Sequence, residues 1–308
     1  MFLQGLTEIS HVSGIDRLTF TMMMAAILIF SMGWIAIKVG LNELPPITFA
    51  TIRFFIASCL MFTFLGVTRQ FPALKTITRK EICIFLVMGS VGIFLTYTFT
   101  FIALTFISAS ESAIIINLDA VFIAIFSILF LNERLTIFKI VGFSIAFLGV
   151  IVVVTEGQFT SGTLTSTRFL GDILILASAV CWAVFSIVGK TATNRFSPIL
   201  VTGMSFAIGT PLLAALSFAT EDVGILMSAS AISWAAILYL GLANSIATLL
   251  FFTCLKRTEE ASRVSVLFLL LPIFVPIFAF FFIGEIITYF IIVGAVLVIL
   301  GVYFVELK

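Results

Sequence analysis

Ten long apolar stretches alternate with short polar segments along the chain. Each stretch has about 20 mostly apolar residues, the length that an α-helix needs to cross the hydrocarbon core of a bilayer. Lipid offers no hydrogen-bond partner to the backbone, so each stretch is predicted to be a helix rather than an open strand. The predicted membrane-crossing segments are residues 19–40, 46–67, 81–104, 108–131, 136–155, 170–190, 197–219, 231–255, 262–283 and 287–305.

Residues that typically begin or end helices stand at the edges of these segments. Thr78 and Glu81 have the spacing of a capping box, in which each side chain bonds the backbone amide of the other residue. Pro46 and Pro198 stand where a helix is predicted to begin, and Gly284 stands where the ninth segment ends. The edges therefore agree with ten separate helices.

The composition places these helices in a membrane. Of the 308 residues, 62% are hydrophobic and 10% are charged, whereas a soluble domain has about 25% charged residues. We therefore expect an all-α membrane protein whose solvent is the lipid bilayer, and no nucleic-acid partner. The four cysteines stand singly, without the spacing of a disulfide framework or a metal site, and we expect no metal and no cofactor.

The positive residues indicate how the chain is oriented. If the N-terminus is cytoplasmic, 13 of the 16 Lys and Arg residues fall on the cytoplasmic side. Cytoplasmic loops carry such an excess of Lys and Arg in membrane proteins. We therefore expect a multi-pass protein of the cell membrane, the plasma or inner membrane, with both termini in the cytoplasm.

The second half of the chain repeats the first at an offset of 152 residues. The matched pairs are Pro46 and Pro198, Glu133 and Glu285, Thr136 and Thr288, Gly142 and Gly294, and Gly149 and Gly301. Residues 19–155 and 170–305 are thus predicted to be two related five-helix repeats. Because five is an odd number, the second repeat is inverted relative to the first, an arrangement typical of transporters.

An acidic phrase occurs once in each half, as FLNERLT at residues 130–136 and FIGEIIT at residues 282–288. Glu133 and Glu285 are predicted to lie in tight turns near the N-terminus of the following helix, where unpaired amide groups favour an anion. Two interpretations remain open: each phrase is a structural turn, or each Glu contributes to a gate.

Residues 103–136, which end in LFLNERLT, and residues 254–288, which end in FFIGEIIT, carry a further signal. They resemble the paired signature of the EamA family in the drug/metabolite transporter superfamily, and the resemblance extends over residues 19–305. It implies ten helices in two inverted repeats and export or exchange of small metabolites, often amino acids. It also implies a central cavity lined mainly by the first four helices of each half, with the fifth and tenth at the periphery.

The sequence departs from that family pattern in the fourth segment, where Ala120, preceded by Asp119, replaces the usual proline. Its counterpart in the ninth segment keeps Pro272 and adds Pro276. We therefore predict a kink or local opening near the middle of the ninth helix, whereas the fourth needs none. Both prolines are candidate gating residues.

Ionisable residues inside membrane segments are costly and are candidates for function. The candidates are Asp119 near the middle of the fourth segment, Arg53 in the second, Lys38 in the first and Glu111 in the fourth. Asp119 either pairs with Arg53 or Lys38 and fixes helix register, or exchanges a proton in alternation with substrate binding. Arg53 either binds a substrate carboxylate or extends toward the membrane interface.

Aromatic and amide side chains complete the candidate cavity. Trp34 and Trp182 stand in the first helix of each half and either stack on a substrate or pack in the interior. Tyr97, Asn117 and Asn244 lie inside membrane segments. Amides in lipid need hydrogen-bond partners, so we expect both asparagines to point inward, toward another helix or a ligand.

Small residues mark the fifth and tenth helices, at Gly142, Ala146 and Gly149 and at Gly294, Ala295 and Gly301. Small faces let helices approach closely. They either pack within the bundle, the interpretation we favour, or form a dimer interface. We expect a monomer or a weak dimer.

Together these features predict a secondary active transporter, an exporter or exchanger of small organic metabolites such as amino acids, that works by alternating access. The chain has no phosphate-cradling loop for ATP, so a gradient must drive transport, and protons are the candidate coupling ion. The alternatives are an intramembrane enzyme and a passive channel. Against the first, the only histidine, His11, precedes the first helix; against the second, the polar residues are too sparse for a continuous polar path.

Overall fold

The computed structural model of the protein describes residues 16–131, 136–155, 167–258 and 266–306. In these ranges the regular elements are helices and no strand is present, which confirms the predicted all-α membrane fold. Eight helices contain an apolar stretch of at least 18 residues, and the apolar stretches of the last two are shorter. The helices are α1 Arg17–Gly40, α2 Pro46–Val67, α3 Arg79–Ala103, α4 Ala109–Ile116 and Leu118–Leu131, α5 Ile137–Thr155, α6 Thr167–Thr193, α7 Pro198–Thr220, α8 Ala231–Arg257, α9 Val266–Leu270 and Leu271–Ile283, and α10 Tyr289–Glu306.

The helix boundaries follow the signals in the sequence. Thr78 and Glu81 form the reciprocal capping box at the start of α3, with the Thr78 amide 2.7 Å from a Glu81 carboxylate oxygen. Ser197 accepts a hydrogen bond from the Leu200 amide at the start of α7. Gly284 ends α9 with a φ of 66°, in the left-handed region that glycine adopts without a steric penalty. These boundary predictions are confirmed.

Equivalent helices of the two halves pack against each other in opposite directions. In the α2–α7 pair, Ser58 and Thr210, which are 152 positions apart, share a hydrogen bond of 3.2 Å. Thr48 at the start of α2 lies 2.7 Å from Ser217 near the end of α7. Two matching helices can be antiparallel neighbours only if one half is inverted. The structure therefore contains the inverted repeat that the sequence predicted.

The small residues of α5 and α10 pack against each other within the chain. A Cβ atom built on Gly149 would lie 2.9 Å from the carbonyl oxygen of Gly294, and one on Gly301 would lie 2.4 Å from the amide nitrogen of Ala146. The two backbones are thus so close that no larger residue fits without a shift. The remaining helices surround the centre of the bundle, where α1 packs against α8 and α9, and α6 packs against α3 and α4 in the equivalent way.

Glu285 binds a helix of the other half. Its carboxylate accepts hydrogen bonds from the amides of Ala109 and Ser110, at 2.8 and 3.1 Å, and from the Ser110 hydroxyl at 2.7 Å. Glu285 lies in the segment between α9 and α10, four residues before α10 begins, but the start of α10 has its own cap in Thr288. Glu285 is thus free to bind the start of α4. Glu133 lies outside the described residues.

Two further carboxylates connect the halves at the same face. Glu221 accepts hydrogen bonds from the amides of Ile47 and Thr48 at the start of α2, at 2.9 and 2.6 Å. Glu43 accepts from the Ser230 amide and the Ser233 hydroxyl at the start of α8, at 2.9 and 2.7 Å. We call the end of the bundle that carries Glu43, Glu221 and Glu285 the Glu43 face.

The opposite face repeats these junctions with different chemistry. Arg195 stands 152 positions after Glu43, and it forms an ion pair with Glu81 at the start of α3. The Ser197 hydroxyl at the start of α7 donates to the side-chain oxygen of Gln70. We call this end the Arg195 face. Each face is therefore closed by contacts between one half and the helix starts of the other.

Both α4 and α9 open locally. In α9 a 3₁₀ turn, Val266–Leu270, precedes the α-helical part, and Pro272 lies in the first turn of that part, in agreement with the predicted irregularity. The α4 helix is also interrupted, at Asn117, so the prediction that it needs no opening is wrong. The Asn117 side chain donates to the Ala113 carbonyl at 2.7 Å, because a short amide side chain can compete with the backbone for helix hydrogen bonds.

The contacts of Glu285 yield a stability prediction. Replacing Glu285 by Ala should lower the stability of the fold by about 2 kcal/mol, since hydrogen bonds to a charged group contribute about 1.5–3 kcal/mol. The measurement is unfolding in detergent of Glu285→Ala, Ser110→Ala and the double variant. We expect the double variant to be less destabilised than the sum of the single ones by at least about 0.5 kcal/mol. Strict additivity would mean that the two side chains do not interact.

Glu43 yields a prediction on pH. The hydrogen bond from the Ser233 hydroxyl, and then those from Ser230, hold the pKa of Glu43 below its ordinary value of 4.5. A carboxyl with a lowered pKa stabilises the folded state above its unfolded pKa and loses that contribution as the pH falls through its folded pKa. The midpoint of thermal unfolding should therefore fall more steeply below pH 4.5 in the wild type than in Glu43→Gln. Parallel curves would contradict the prediction.

Candidate functional site

A cavity of about 70 Å³ lies at the centre of the bundle, between the two halves. A single water needs at least about 10–15 Å³ and occupies about 30 Å³ in the liquid, so the cavity has room for about two waters or a compact polar group. Three helices of each half contribute to its wall: α1, α3 and α4 from the first, and α6, α8 and α9 from the second. The lining residues are Phe30, Gly33, Trp34, Ile37, Thr96, Tyr97, Thr100, Ile116, Asn117, Asp119, Ser178, Trp182, Asn244, Phe268 and Leu271.

Six of the eight residues predicted to bind substrate line this cavity. They are Trp34, Tyr97, Asn117, Asp119, Trp182 and Asn244. They come from five helices that are far apart in the sequence, so the fold itself brings them together. Lys38 and Arg53 are not among the lining residues.

Asp119 is the acidic group of the cavity. It lies in the first turn after the interruption of α4 and is 6% exposed. The structure pairs it with neither Arg53 nor Lys38: in the described part of the chain, Lys38 donates to backbone carbonyls and Arg53 contacts aromatic rings. The ion pair considered for Asp119 is therefore absent there, and Asp119 is one of the residues that line the cavity.

Two amide oxygens add to the acceptors of the cavity wall. The side-chain oxygens of Asn117 and Asn244 are buried and have no hydrogen-bond partner. The Asn117 orientation is fixed, because its amide nitrogen donates to the Ala113 carbonyl. Among the described residues that line the cavity, none is Lys or Arg. The wall thus offers a carboxylate and two free carbonyl oxygens, a set that suits a ligand rich in hydrogen-bond donors.

Aromatic rings form the apolar part of the wall. Trp182 stacks against Phe251 with ring centroids 5.8 Å apart, and its edge meets Phe30 at 6.3 Å. Phe30 stands 152 positions before Trp182, so these two rings are equivalent and meet between the halves. Trp182 therefore both packs in the interior and faces the cavity. Trp34 lines the cavity from α1.

Hydroxyl groups complete the wall, and the sequence analysis did not select them. The Thr100 and Ser178 hydroxyls lie 2.7 Å apart and connect α3 with α6. The Ser178 hydroxyl also lies 3.1 Å from the Thr96 carbonyl oxygen. Their position in the middle of two membrane segments indicates that these hydroxyls could face the cavity. In lipid, however, most serines and threonines bond their own helix, which makes a single hydroxyl hard to select from sequence.

Lys38 caps a helix. Its ammonium group donates to the carbonyls of Leu104 and Ile107, both at 2.7 Å, at the C-terminal end of α3. Lys190, its counterpart 152 positions later, donates in the same way to the carbonyls of Leu255 and Thr258 after α8. Cations favour helix C-termini, where carbonyl groups lack partners. Each half therefore uses one lysine of its first helix to hold the end of its third.

Arg53 lies outside the cavity, in a box of aromatic rings. Its guanidinium carbon is 3.9 Å from the centroid of Phe54, 4.2 Å from that of Tyr97 and 5.7 Å from that of Phe101. Arg53 is 3% exposed, so it does not extend to the membrane interface. Glu111, the other candidate ion, pairs with Arg168 at 2.6 Å.

The comparison with protein families agrees with this architecture. The sequence model of the EamA-like transporter family matches the chain twice, at residues 17–155 and 169–307. A solved crystal structure matches the fold with a TM-score of 0.67 and 18% identity, over 94% of this chain and 97% of its own. That likeness supports the fold alone.

Curated relatives cover nearly the same length. An uncharacterized transporter of Archaeoglobus fulgidus is 28% identical over 94% of this chain and 98% of its own. The uncharacterized transporter YyaM of Bacillus subtilis is 30% identical over 86% of each chain. A probable amino-acid metabolite efflux pump of Salmonella typhimurium is 26% identical over 90% of this chain and 91% of its own.

The relatives are transporters or efflux pumps by name, so the protein is a membrane transporter and not an enzyme. One family matches both of its five-helix halves. The chain therefore belongs to the EamA-like transporter family of the drug/metabolite transporter superfamily.

Proposed function

We propose that the protein is a secondary active transporter that exports or exchanges a small amine-bearing metabolite, such as an amino acid, by alternating access around the central cavity. The observation that carries the proposal is the position of the cavity, between three helices of one half and three of the other. A site at the interface of inverted repeats can be opened to either side by relative motion of the halves.

Equivalent contacts on the two faces support alternating access. Glu43 binds Ser233 at one face, and the equivalent residues Arg195 and Glu81 bind each other at the opposite face. Opening one face means breaking only its own set of contacts, while the other set stays closed. In this proposal the two sets open in turn, so that the cavity never communicates with both sides at once.

The chemistry of the wall supports an amine-bearing substrate. An ammonium group has three donors and a positive charge, which match the Asp119 carboxylate and the free amide oxygens of Asn117 and Asn244. The rings of Trp34 and Trp182 suit an apolar body. The probable amino-acid metabolite efflux pump of Salmonella typhimurium adds support by its name.

A gradient supplies the driving force in this proposal. Moving one charge across 100 mV yields about 2.3 kcal/mol. Asp119 is the group at which a proton and a substrate ammonium would compete, since both neutralise the same carboxylate. The protein lies in the plasma membrane in this proposal. The excess of Lys and Arg at the Arg195 face favours an orientation in which that face and both termini are in the cytoplasm.

Asp119→Asn tests the role of the carboxylate. In proteoliposomes we expect this variant to lose the pH dependence of amino-acid uptake and to keep most of its counterflow, because an amide still accepts hydrogen bonds but cannot take up a proton. Asp222→Asn, in the loop after α7, is the matched control and should behave as the wild type. Unchanged pH dependence in Asp119→Asn would leave Asp119 with a structural role only.

Gly33→Ala tests the role of Asn244. A Cβ atom at residue 33 would lie 2.6 Å from the Asn244 amide nitrogen and 2.8 Å from its amide oxygen, so the amide must move. We expect an affinity loss of about tenfold, equivalent to one lost hydrogen bond of about 1.4 kcal/mol. Gly66→Ala makes the same change in α2, against the Phe71 ring at 3.2 Å, and should leave binding unchanged. Equal affinity in both variants would remove Asn244 from the binding site.

A further inference from the structure

Arg53 is a buried cation that the proposed cavity does not use. It lies in the second turn of α2, about 10 Å along the helix from its first residue at 1.5 Å per residue. Its Nε and Nη2 atoms are buried and have no hydrogen-bond partner. The ion pairs found in the described part of the chain join Arg168 to Glu111, Arg195 to Glu81 and Arg257 to Asp16, and Arg53 belongs to none of them.

Such a group is unfavourable in the resting protein. Removing a charge from water is costly unless a partner of opposite sign compensates it. The rings of Phe54 and Tyr97 compensate in part, because the guanidinium lies over both faces. Ring faces, however, cannot accept the directed hydrogen bonds of Nε and Nη2 as a carboxylate does. The guanidinium therefore lacks the anionic partner that its geometry suits best.

Tyr97 contacts both Arg53 and the cavity. Its ring lies 4.2 Å from the guanidinium carbon, and the same residue lines the cavity beside Thr96 and Thr100. Tyr97 is the second residue after the π-helical stretch Met88–Leu95 of α3, and the Thr96 hydroxyl donates to the Val91 carbonyl five residues back. Local π-helix occurs frequently at functional sites, because it displaces the next side chains from the regular helix surface.

Arg53 also breaks the symmetry of the protein. Its counterpart 152 positions later is Ser205, a buried serine that bonds the Val201 carbonyl of its own helix. Asp119 likewise has Leu271 as its counterpart, and both line the cavity. The charged groups near the centre thus belong to one half only. The helix-capping lysines Lys38 and Lys190, by contrast, occur in both halves.

We propose that Arg53 forms a second subsite that binds the carboxylate of the substrate once Tyr97 moves away from it. This inference rests on the proposed function and makes it more specific. The substrate is then a zwitterion, an α-amino acid or a close derivative with a free carboxylate. Its ammonium group binds at Asp119, Asn117 and Asn244, and its carboxylate binds the Nε and Nη2 atoms of Arg53.

The test uses pairs of ligands that differ only in the carboxylate. Purified protein in detergent is titrated with the 20 amino acids and their α-amides. All variants carry Trp234→Phe, so that quenching of the remaining Trp34 and Trp182 reports binding in the cavity. In the wild type we expect at least one amino acid to bind, with its amide at least tenfold weaker. In Arg53→Met the acid and the amide should bind within about twofold of each other. Arg53→Lys, which keeps the charge without the planar fork, should fall between them.

Two controls separate binding from structure. Ser205→Ala alters the equivalent position of α7 and should keep the full preference for the acid. Arg53→Met should have a thermal unfolding midpoint at least as high as that of the wild type, because it removes a buried charge without a partner. A large drop in that midpoint, with the preference for the acid kept, would show that Arg53 is structural and would overturn the proposal.

Chemical labelling tests the position of Tyr97 without any transport assay. Phenylglyoxal modifies accessible guanidinium groups, and mass spectrometry of the peptide that contains Arg53 measures the rate. We expect modification of Arg53 to be at least fivefold faster in Tyr97→Ala than in the wild type. The amino acid that binds in the titration should slow this reaction, and its amide should not. Equal rates in both proteins, or equal protection by acid and amide, would overturn the subsite.

The outcomes distinguish this inference from the proposed function. Counterflow of an amide as fast as that of its amino acid would overturn the carboxylate subsite and leave the transporter proposal standing. An amino acid that binds with the expected preference but shows no counterflow would support the subsite and contradict the proposed transport. If no amino acid binds the wild type, the zwitterion subsite is overturned, and counterflow of simple amines then decides the proposed function separately.

Discussion

Every helix that begins at a membrane surface has amide groups without a partner in the helix, and at three helix starts of the Glu43 face a carboxylate of the other half binds them. Glu221 binds the start of α2, Glu285 that of α4 and Glu43 that of α8. Each acid belongs to one half and its helix to the other, so the contacts that satisfy the backbone also hold the halves together. The cavity lies between the two halves that these contacts join, and its access therefore depends on them.

The frame of the protein is symmetric, but its central chemistry is not. Ser58 and Thr210 bond across the pseudo-twofold axis, as equivalent positions of a symmetric pair must. At the cavity the equivalents differ, since Asp119 corresponds to Leu271. A symmetric frame supplies two similar ways of closing, and an asymmetric site lets one orientation of a polar ligand be preferred. The symmetric frame allows either face to close, and the asymmetric site orients the ligand, so different residues can provide these two properties.

The helices could be predicted from sequence because lipid requires about 20 apolar residues per crossing and leaves few alternatives. Most cavity residues could be predicted too, because polar side chains in the middle of a membrane segment face the interior of the helix bundle and not the lipid. The opening of α4 at Asn117 could not be predicted, because it depends on whether the Asn117 side chain forms a hydrogen bond with its own helix or with a neighbouring helix. The role of Lys38 depends on carbonyls 66 and 69 positions away, and the aromatic partners of Arg53 on the packing of α3 against α2. Such contacts follow from the fold and not from local pattern.

The two faces differ in charge, and this difference bears on the cycle. At the Glu43 face each of the three junctions uses a carboxylate. At the Arg195 face Arg195 stands at the position equivalent to Glu43 and pairs with the Glu81 carboxylate, and the neutral Gln70 binds Ser197 at the start of α7. Protonation weakens a carboxylate as an acceptor, but it has no such effect on an amide. Acid on the Glu43 side therefore weakens the bonds of Glu43 to Ser230 and Ser233, while the bond between Gln70 and Ser197 has no carboxylate to protonate. The inverted repeat thus provides two closures of similar design, of which the Glu43 face uses three described carboxylates and the Arg195 face one.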